Sequence, residues 1–397
     1  MKKTSIDRLR EIQIQCGYSP VSLEDVRKYT QQCIPSGIPR LLRNKFIKQA
    51  EQVLLKKYQQ IPTEYQDPLT YSLLQGLFDE IKESAVHLSK DNQFTFPKSL
   101  TYGTANIGTF TAFVADFDAE KDYLLLISDG LFTFANLMAK SIGMLTIQPD
   151  SEDGKYLKFC FEENSIRSAL KNNHDAIIRF ADLIFAYTIS NHPGYAKQYT
   201  PDLTLAAISG LLRHSFELFI IGHEYGHLLL NHLDITHPKV SDKKELIDTA
   251  LNNWYEEISA DTLGAYLAIG AMKGYDFVSS YAGVDICLIT LTILERLENE
   301  LKKKSSGYFT HPPGEFRREM VFQKLSETDP HIKDIYEANT YIVDELWNRC
   351  MYLLKELDST MRNTLNMPIT KIPYHVTQNI LYRVGDHLLN SYDAENP

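Results

Sequence analysis

The chain of 397 residues is 44% apolar and 23% charged, values near globular averages that exclude a disordered or fibrous protein. Its formal net charge of -10 and pI near 5.7 exclude the broad basic surface that nucleic acid requires. Cys16, Cys33, Cys160, Cys287 and Cys350 are scattered without a CxxC pair, which argues against a disulfide scaffold or thiolate zinc site and fits a reducing, cytoplasmic setting.

The opening MKKTSIDRLREIQIQ runs two lysines into a polar helical pattern, not the apolar stretch of a signal peptide. From Ile6 to about His87 the spacing predicts helices punctuated by Pro20, Pro35, Pro39, Pro62 and Pro68. We read 1–95 as an N-terminal helical region. Between Thr101 and Ser128 the β-branched and aromatic content predicts a strand pair around DAEKD. Helical spacing returns after Gly130 and stops near PDSEDG, with more helix before His192 and Pro193. Leu203 to His232, Lys244 to Ala271 and Phe277 to Leu301 each read as helix, and KKKSSGYFTHPPG as a loop carrying the short run Lys302 to Lys304. Further helices follow from Glu315, broken near Asp329, Pro330, Pro368 and Pro373.

The windows Leu211 to Leu230 and Val284 to Leu294 are interrupted or flanked by charge, so we expect buried core helices and no membrane span. The fold expected is mainly α with a small β-sheet: a catalytic core at 96–325, with an insertion at about 141–202, and a C-terminal helical region at 326–397.

Chemistry concentrates in HEYGH, inside the long apolar segment. His223 and His227 are four apart, so on a helix both imidazoles leave one face and can share one ion, with Glu224 beside them. A catalytic zinc needs a third protein ligand. In EEISAD, Glu257 and Asp261 lie one helical turn apart: Glu257 would complete a His2Glu site and Asp261 would hold the rear nitrogen of a ligating histidine. Glu256 is the rival ligand, but the residue four further on is Ala260, which can hold nothing. A buried Glu224 between two core histidines would be costly without a metal. His232 is expected to pack or face solvent, off the metal-binding face.

HEYGHLLLNH, then EEISADTLGAYLA, then THPPGEFRRE resembles, in order, three motifs of the zinc peptidase family that contains the CAAX prenyl proteases and heat-shock membrane peptidases. The likeness covers about half the chain. It implies a zincin-like core with an active-site helix and a strand pair in TAFVADFDAEKDYLLLISDGL, whose edge strand would take an extended substrate by β-augmentation. It also places His311, Pro312 and Arg317 near the metal, with His311 donating to the oxyanion and Arg317 pairing with an acid such as Asp261. The chain departs from those relatives in its expected lack of a spanning helix and in the insertion, which would shape a private substrate cleft. The implied function is a soluble, cytoplasmic zinc endopeptidase of gluzincin type, holding one Zn2+ and acting on protein or peptide. The alternative is a metal-binding regulatory, toxin-related or phage-defence module with latent or single-target proteolysis.

Overall fold

The computed structural model describes all residues except 1–2, 23, 26–27, 29–39, 91–93, 117–120, 150–156, 235–242, 301–310 and 397. The run Lys302 to Lys304, His237, Pro238, Cys33 and much of the turns at 118–122, 149–154 and 302–314 lie outside the described residues.

The protein is mostly helical with a small three-stranded sheet. Helices α1 (Ser5–Gln15), α2 (Arg40–Tyr58) and α3 (Pro68–Leu88) precede strands β1 (Ser99–Ala105), β2 (Ala112–Asp116) and β3 (Asp122–Ser128). Helix α3 starts where it does because Pro68 tolerates the first turn and the Asp67 carboxylate accepts from the amides of Leu69 and Thr70.

The strand order is β1-β3-β2, with β1 parallel and β2 antiparallel to β3. The run YLLLI is continuous because β3 is covered on both faces. Tyr123, Leu125 and Ile127 face the main core, while Leu124 and Leu126 meet Leu9 of α1 and Ala105 on the other side, the two-residue alternation of a strand. Helix α1 is pinned there by Ser5, whose amide and hydroxyl donate to Asp122 at 2.8 and 2.9 Å. The central strand has no free edge, whereas β2 pairs on one side only among the described residues.

Helix α4 (Asp129–Thr146) follows β3, and a two-stranded ribbon, β4 (Ile147–Pro149) with β5 (Leu157–Phe159), leads to α5 (Glu163–Asn172) and α6 (His174–Ser190). Then come α7 (Leu203–Leu229), α8 (Lys243–Ala271), α9 (Phe277–Glu300), α10 (Gly314–Ser326), α11 (Ile332–Leu365) and α12 (Tyr374–Glu395). Asp202 caps α7 by accepting from the amides of Thr204 and Leu205.

By length and composition α7 and α9 are apolar enough to cross a membrane, and in the fold 56% and 72% of their most apolar windows are buried. Both belong to a hydrophobic core running from Leu74 to Leu389. The insertion adds buried side chains to that core, among them Ile177, Phe180 and Phe185 of α6. Helix α12 docks on α6 through the buried Asp182, which accepts from Tyr374, from Gln378 at 3.0 Å and from Tyr382 at 3.1 Å.

Candidate metal centre

Helices α7 and α8 meet through small residues. A methyl placed on Gly264 would lie 2.6 Å from the His223 nitrogen, one on Gly222 would lie 2.8 Å from the Gly264 carbonyl oxygen, and one on Gly226 would lie 3.2 Å from that of Ala260. The two backbones therefore touch over the turns that carry HEYGH and EEISAD. Short side chains at the contact leave the flanking long ones to converge.

The converging groups are His223, His227 and Glu257, a set that could hold a metal ion, its donor atoms all within 4.8 Å of one another. The Nε2 atoms of the two histidines are 3.3 Å apart, and they stand 3.6 and 3.5 Å from Glu257 Oε2 and Oε1. Ligands at zinc distances of about 2.0–2.2 Å at the corners of a tetrahedron stand roughly 3.3–3.6 Å apart. The spacing thus suits a small ion. Glu257 Oε2 is also buried without a hydrogen bond, an acceptor for which a cation would supply a partner. Of the two glutamates, it is Glu257 that joins the group.

Behind this set stands a charged layer. His223 Nδ1 lies 2.8 Å from Asp261 Oδ1, off the line of an ideal hydrogen bond. Asp261 is fully buried and takes a two-pronged contact from Arg317, at 2.7 Å from Nε and 2.6 Å from Nη2. Arg317 Nη2 is also 3.5 Å from Glu257 Oε2. His311 is mostly exposed, and its Nδ1 lies 3.2 Å from Glu257 Oε1. The rear nitrogen of His227 meets His232, Nδ1 to Nδ1 at 2.9 Å.

These surroundings shift the titrations. For Glu257 burial is opposed and outweighed by the His311 hydrogen bond and by the charges of His223, Arg317 and His227, which hold it at about 2. Asp261 is likewise held far below the carboxylate range, burial being overcome by Arg317 and then His223. Burial drives His227 down to about 3, with like charge on His223 adding to it. For His223 burial is outweighed by Asp261 and Glu257, and its pKa rises. An anionic carboxylate and a neutral imidazole are the forms a metal takes up, so Glu257 and His227 are held ready, while His223 gives up a proton on binding one.

Glu224 is buried beside the set; burial pushes its carboxyl up, with the charge of Glu257 adding to it, against a weaker pull down from His223 and Arg317. Ala112 of β2 lines the same cavity as Glu224, so the edge strand runs alongside this part of the helix. Between strand and helices lies a cavity of about 300 Å³, with an apolar wall of Phe110, Leu131, Phe219, Ile220 and Leu291 and a polar end at His223, Glu224, Glu257 and Arg317. Cys287 also lines it, and burial raises its thiol well above the usual value, so it is neutral.

This cavity does not bear on the expectation that the insertion shapes a substrate cleft: among the described residues, those lining it lie outside 141–202. The insertion braces it from behind: Tyr187 of α6 accepts a hydrogen bond from the Phe110 amide at 3.4 Å. As expected, His232 packs and stands outside the candidate ligand set; what the sequence did not show is its contact with the rear nitrogen of His227. Sequence periodicity missed it because His232 follows α7, in a 3-10 turn at His232–Asp234. Comparison with protein-family models, curated proteins and solved structures finds no match to this chain.

Proposed function

We propose that the chain is a zinc-dependent endopeptidase of gluzincin type with a zincin-like core, similar in its site to the CAAX prenyl protease family. The observation that carries this reading is the convergence of His223, His227 and Glu257, their donor atoms 3.3 to 3.6 Å apart, on the buried Glu224. These three residues would hold one Zn2+. The chemistry a zinc ion supplies in such a site is Lewis acidity toward a carbonyl and a water pKa lowered to about 7.

The chain's own residues do the rest. An extended peptide laid along the edge strand β2 presents its scissile bond to Glu224, and a neighbouring apolar side chain enters the cavity walled by Phe110, Phe219 and Leu291. Glu224 takes a proton from the attacking water and delivers it to the leaving nitrogen, a role suited to a buried carboxyl with a raised pKa. His311 stands at the open end of the site, where its ring can donate to the developing oxyanion, and Arg317 holds Asp261 and Glu257 in place. Protein or peptide in the cytoplasm is the proposed substrate.

The test is Glu224→Gln. Zinc content is expected to stay near stoichiometric while cleavage, followed as new N-termini in an expressing cell, disappears. Equal cleavage by parent and variant would remove the mechanism, and a parent purified without zinc after metal reloading would remove the class. A latent or single-target protease is the second reading. Cleavage of one protein in extract, with generic peptides left intact, is its signature.

A further inference from the structure

The two candidate metal-binding imidazoles are backed differently. Behind His223 stands the Asp261 carboxylate, its charge matched by Arg317. Behind His227 stands another imidazole, His232, whose Nδ1 is 2.9 Å from His227 Nδ1, with ring centroids 5.0 Å apart and ring planes at 71°.

This contact is built by the backbone. Helix α7 ends at Leu229, and Asn231 adopts the left-handed conformation at φ 58°, reversing the chain. The Asn231 side chain donates to Thr95 Oγ1 at 3.0 Å, and the Thr95 amide donates to the Leu229 carbonyl at 3.2 Å. The 3-10 turn that follows sets His232 against the ring one helical turn back. Held at both sides, the reversal leaves His232 little freedom to turn away.

We propose that His232 is a positioning residue that fixes the tautomer of His227, an inference that rests on the metal-binding reading above. His227 Nε2 faces His223 Nε2 and Glu257, so it must keep its lone pair toward the ion. The ring hydrogen then sits on His227 Nδ1 and is donated to His232 Nδ1, which accepts it, and His232 carries its own hydrogen on Nε2. Hydrogen bonding and orientation are the whole of this role; His232 takes no part in the reaction and ligates nothing.

The test compares the full-length parent with His232→Ala and His232→Asn, whose amide oxygen can accept from the same ring nitrogen. Zinc affinity is read by chelator competition and site geometry by the visible spectrum of the cobalt-loaded proteins. The alanine variant is expected to bind zinc roughly 10- to 100-fold more weakly, with a displaced cobalt spectrum. The asparagine variant is expected to restore both. An alanine variant with parental affinity and spectrum overturns the proposal while leaving the metal site standing, and a parent that binds no metal overturns the metal reading itself. Should the alanine variant not fold, nitrogen NMR of the zinc-loaded parent decides: a coupling from the His227 Nδ1 hydrogen across to His232 Nδ1 is expected, and a hydrogen exchanging freely with water overturns the assignment.

Discussion

Arg317 is the cation on which the candidate centre's buried negative charge depends, because it grips Asp261 with two nitrogens and also reaches Glu257. Breaking a buried pair from one side leaves an uncompensated charge, at a cost of about 3–5 kcal/mol. Arg317→Ala is therefore expected to lose about that much unfolding free energy, read from its urea transition, and to bind zinc more weakly, since Asp261 loses the group that holds it behind His223. Arg317→Lys should recover only part, because an ammonium cannot reproduce the fork. Unchanged unfolding in Arg317→Ala would mean that the fork carries no net stability.

A second buried acid lies outside the centre. Glu217 of α7 is 2% exposed, its carboxylate reaches only 3.6 Å from Arg213 Nε, and its Oε2 has no hydrogen bond. Burial raises its pKa from 4.5 to about 7, against a weaker pull from Arg213. The unfolded chain ionises first, so the contribution of Glu217 to stability is greatest below pH 4.5, declines as pH rises toward 7 and levels off above it. By the size of that shift the loss is at most roughly 3 kcal/mol. Glu217→Gln should flatten this part of the pH–stability curve and be the more stable protein at pH 8, measured by urea unfolding across the range. A parental slope in the variant would assign the dependence elsewhere.

At the scale of helices, the centre exists because α7 and α8 approach backbone to backbone. A methyl on Gly264 would meet the His223 nitrogen and Cα at 2.6 and 2.8 Å, and backbone atoms cannot swing aside. Gly264→Ala is thus expected to push α8 outward, carry Glu257 away from the imidazoles, weaken zinc binding and cost about 1–3 kcal/mol. Gly210→Ala, earlier on α7 where a methyl meets nothing within 4 Å, should instead stabilise by up to about 1 kcal/mol. Equal behaviour of the two variants in chelator competition and urea unfolding would show that close approach is not what sets the spacing.

This contact also marks how far the sequence could be read. Four-residue spacing put His223 with His227 and Glu257 with Asp261 on shared faces, and Asp261 was the reason for choosing Glu257 over Glu256. The strand run and the long helix were legible for the same cause, since periodicity reports which residues share a face. It does not report what stands behind a face. Gly222, Gly226 and Gly264 read as ordinary glycines until a second helix lies against them, and the ring on which His232 packs is not legible until the chain reverses at Asn231. In the insertion, apolar periodicity shows that α6 is buried, not that it is buried behind the cavity.

Across the whole molecule, the centre depends on helices far from it in sequence. Arg317 and Arg318 are neighbours on α10: the first grips Asp261, and the second, buried, grips Asp285 of α9 at 2.7 and 2.9 Å. Asp285 also accepts from Asn339 at 2.9 Å, and Arg318 donates to the Tyr336 carbonyl and to Thr340, at 2.7 and 2.8 Å. Three of the partners that satisfy this pair therefore come from α11, and α11 packs in turn on α12. A fragment ending at 325 would keep every candidate ligand yet leave the Arg318–Asp285 pair half satisfied and the apolar faces of α6 and α9 uncovered. Unsatisfied buried charge and exposed core act together against the fold. We expect fragment 1–325 to bind a hydrophobic dye, to melt without a cooperative transition and to hold zinc poorly, whereas the full chain should melt cooperatively and at a higher temperature with zinc present. A fragment that melts cooperatively with parental zinc affinity would show instead that α10 is held in register without α11, and that the terminal helices serve some purpose other than setting Arg317.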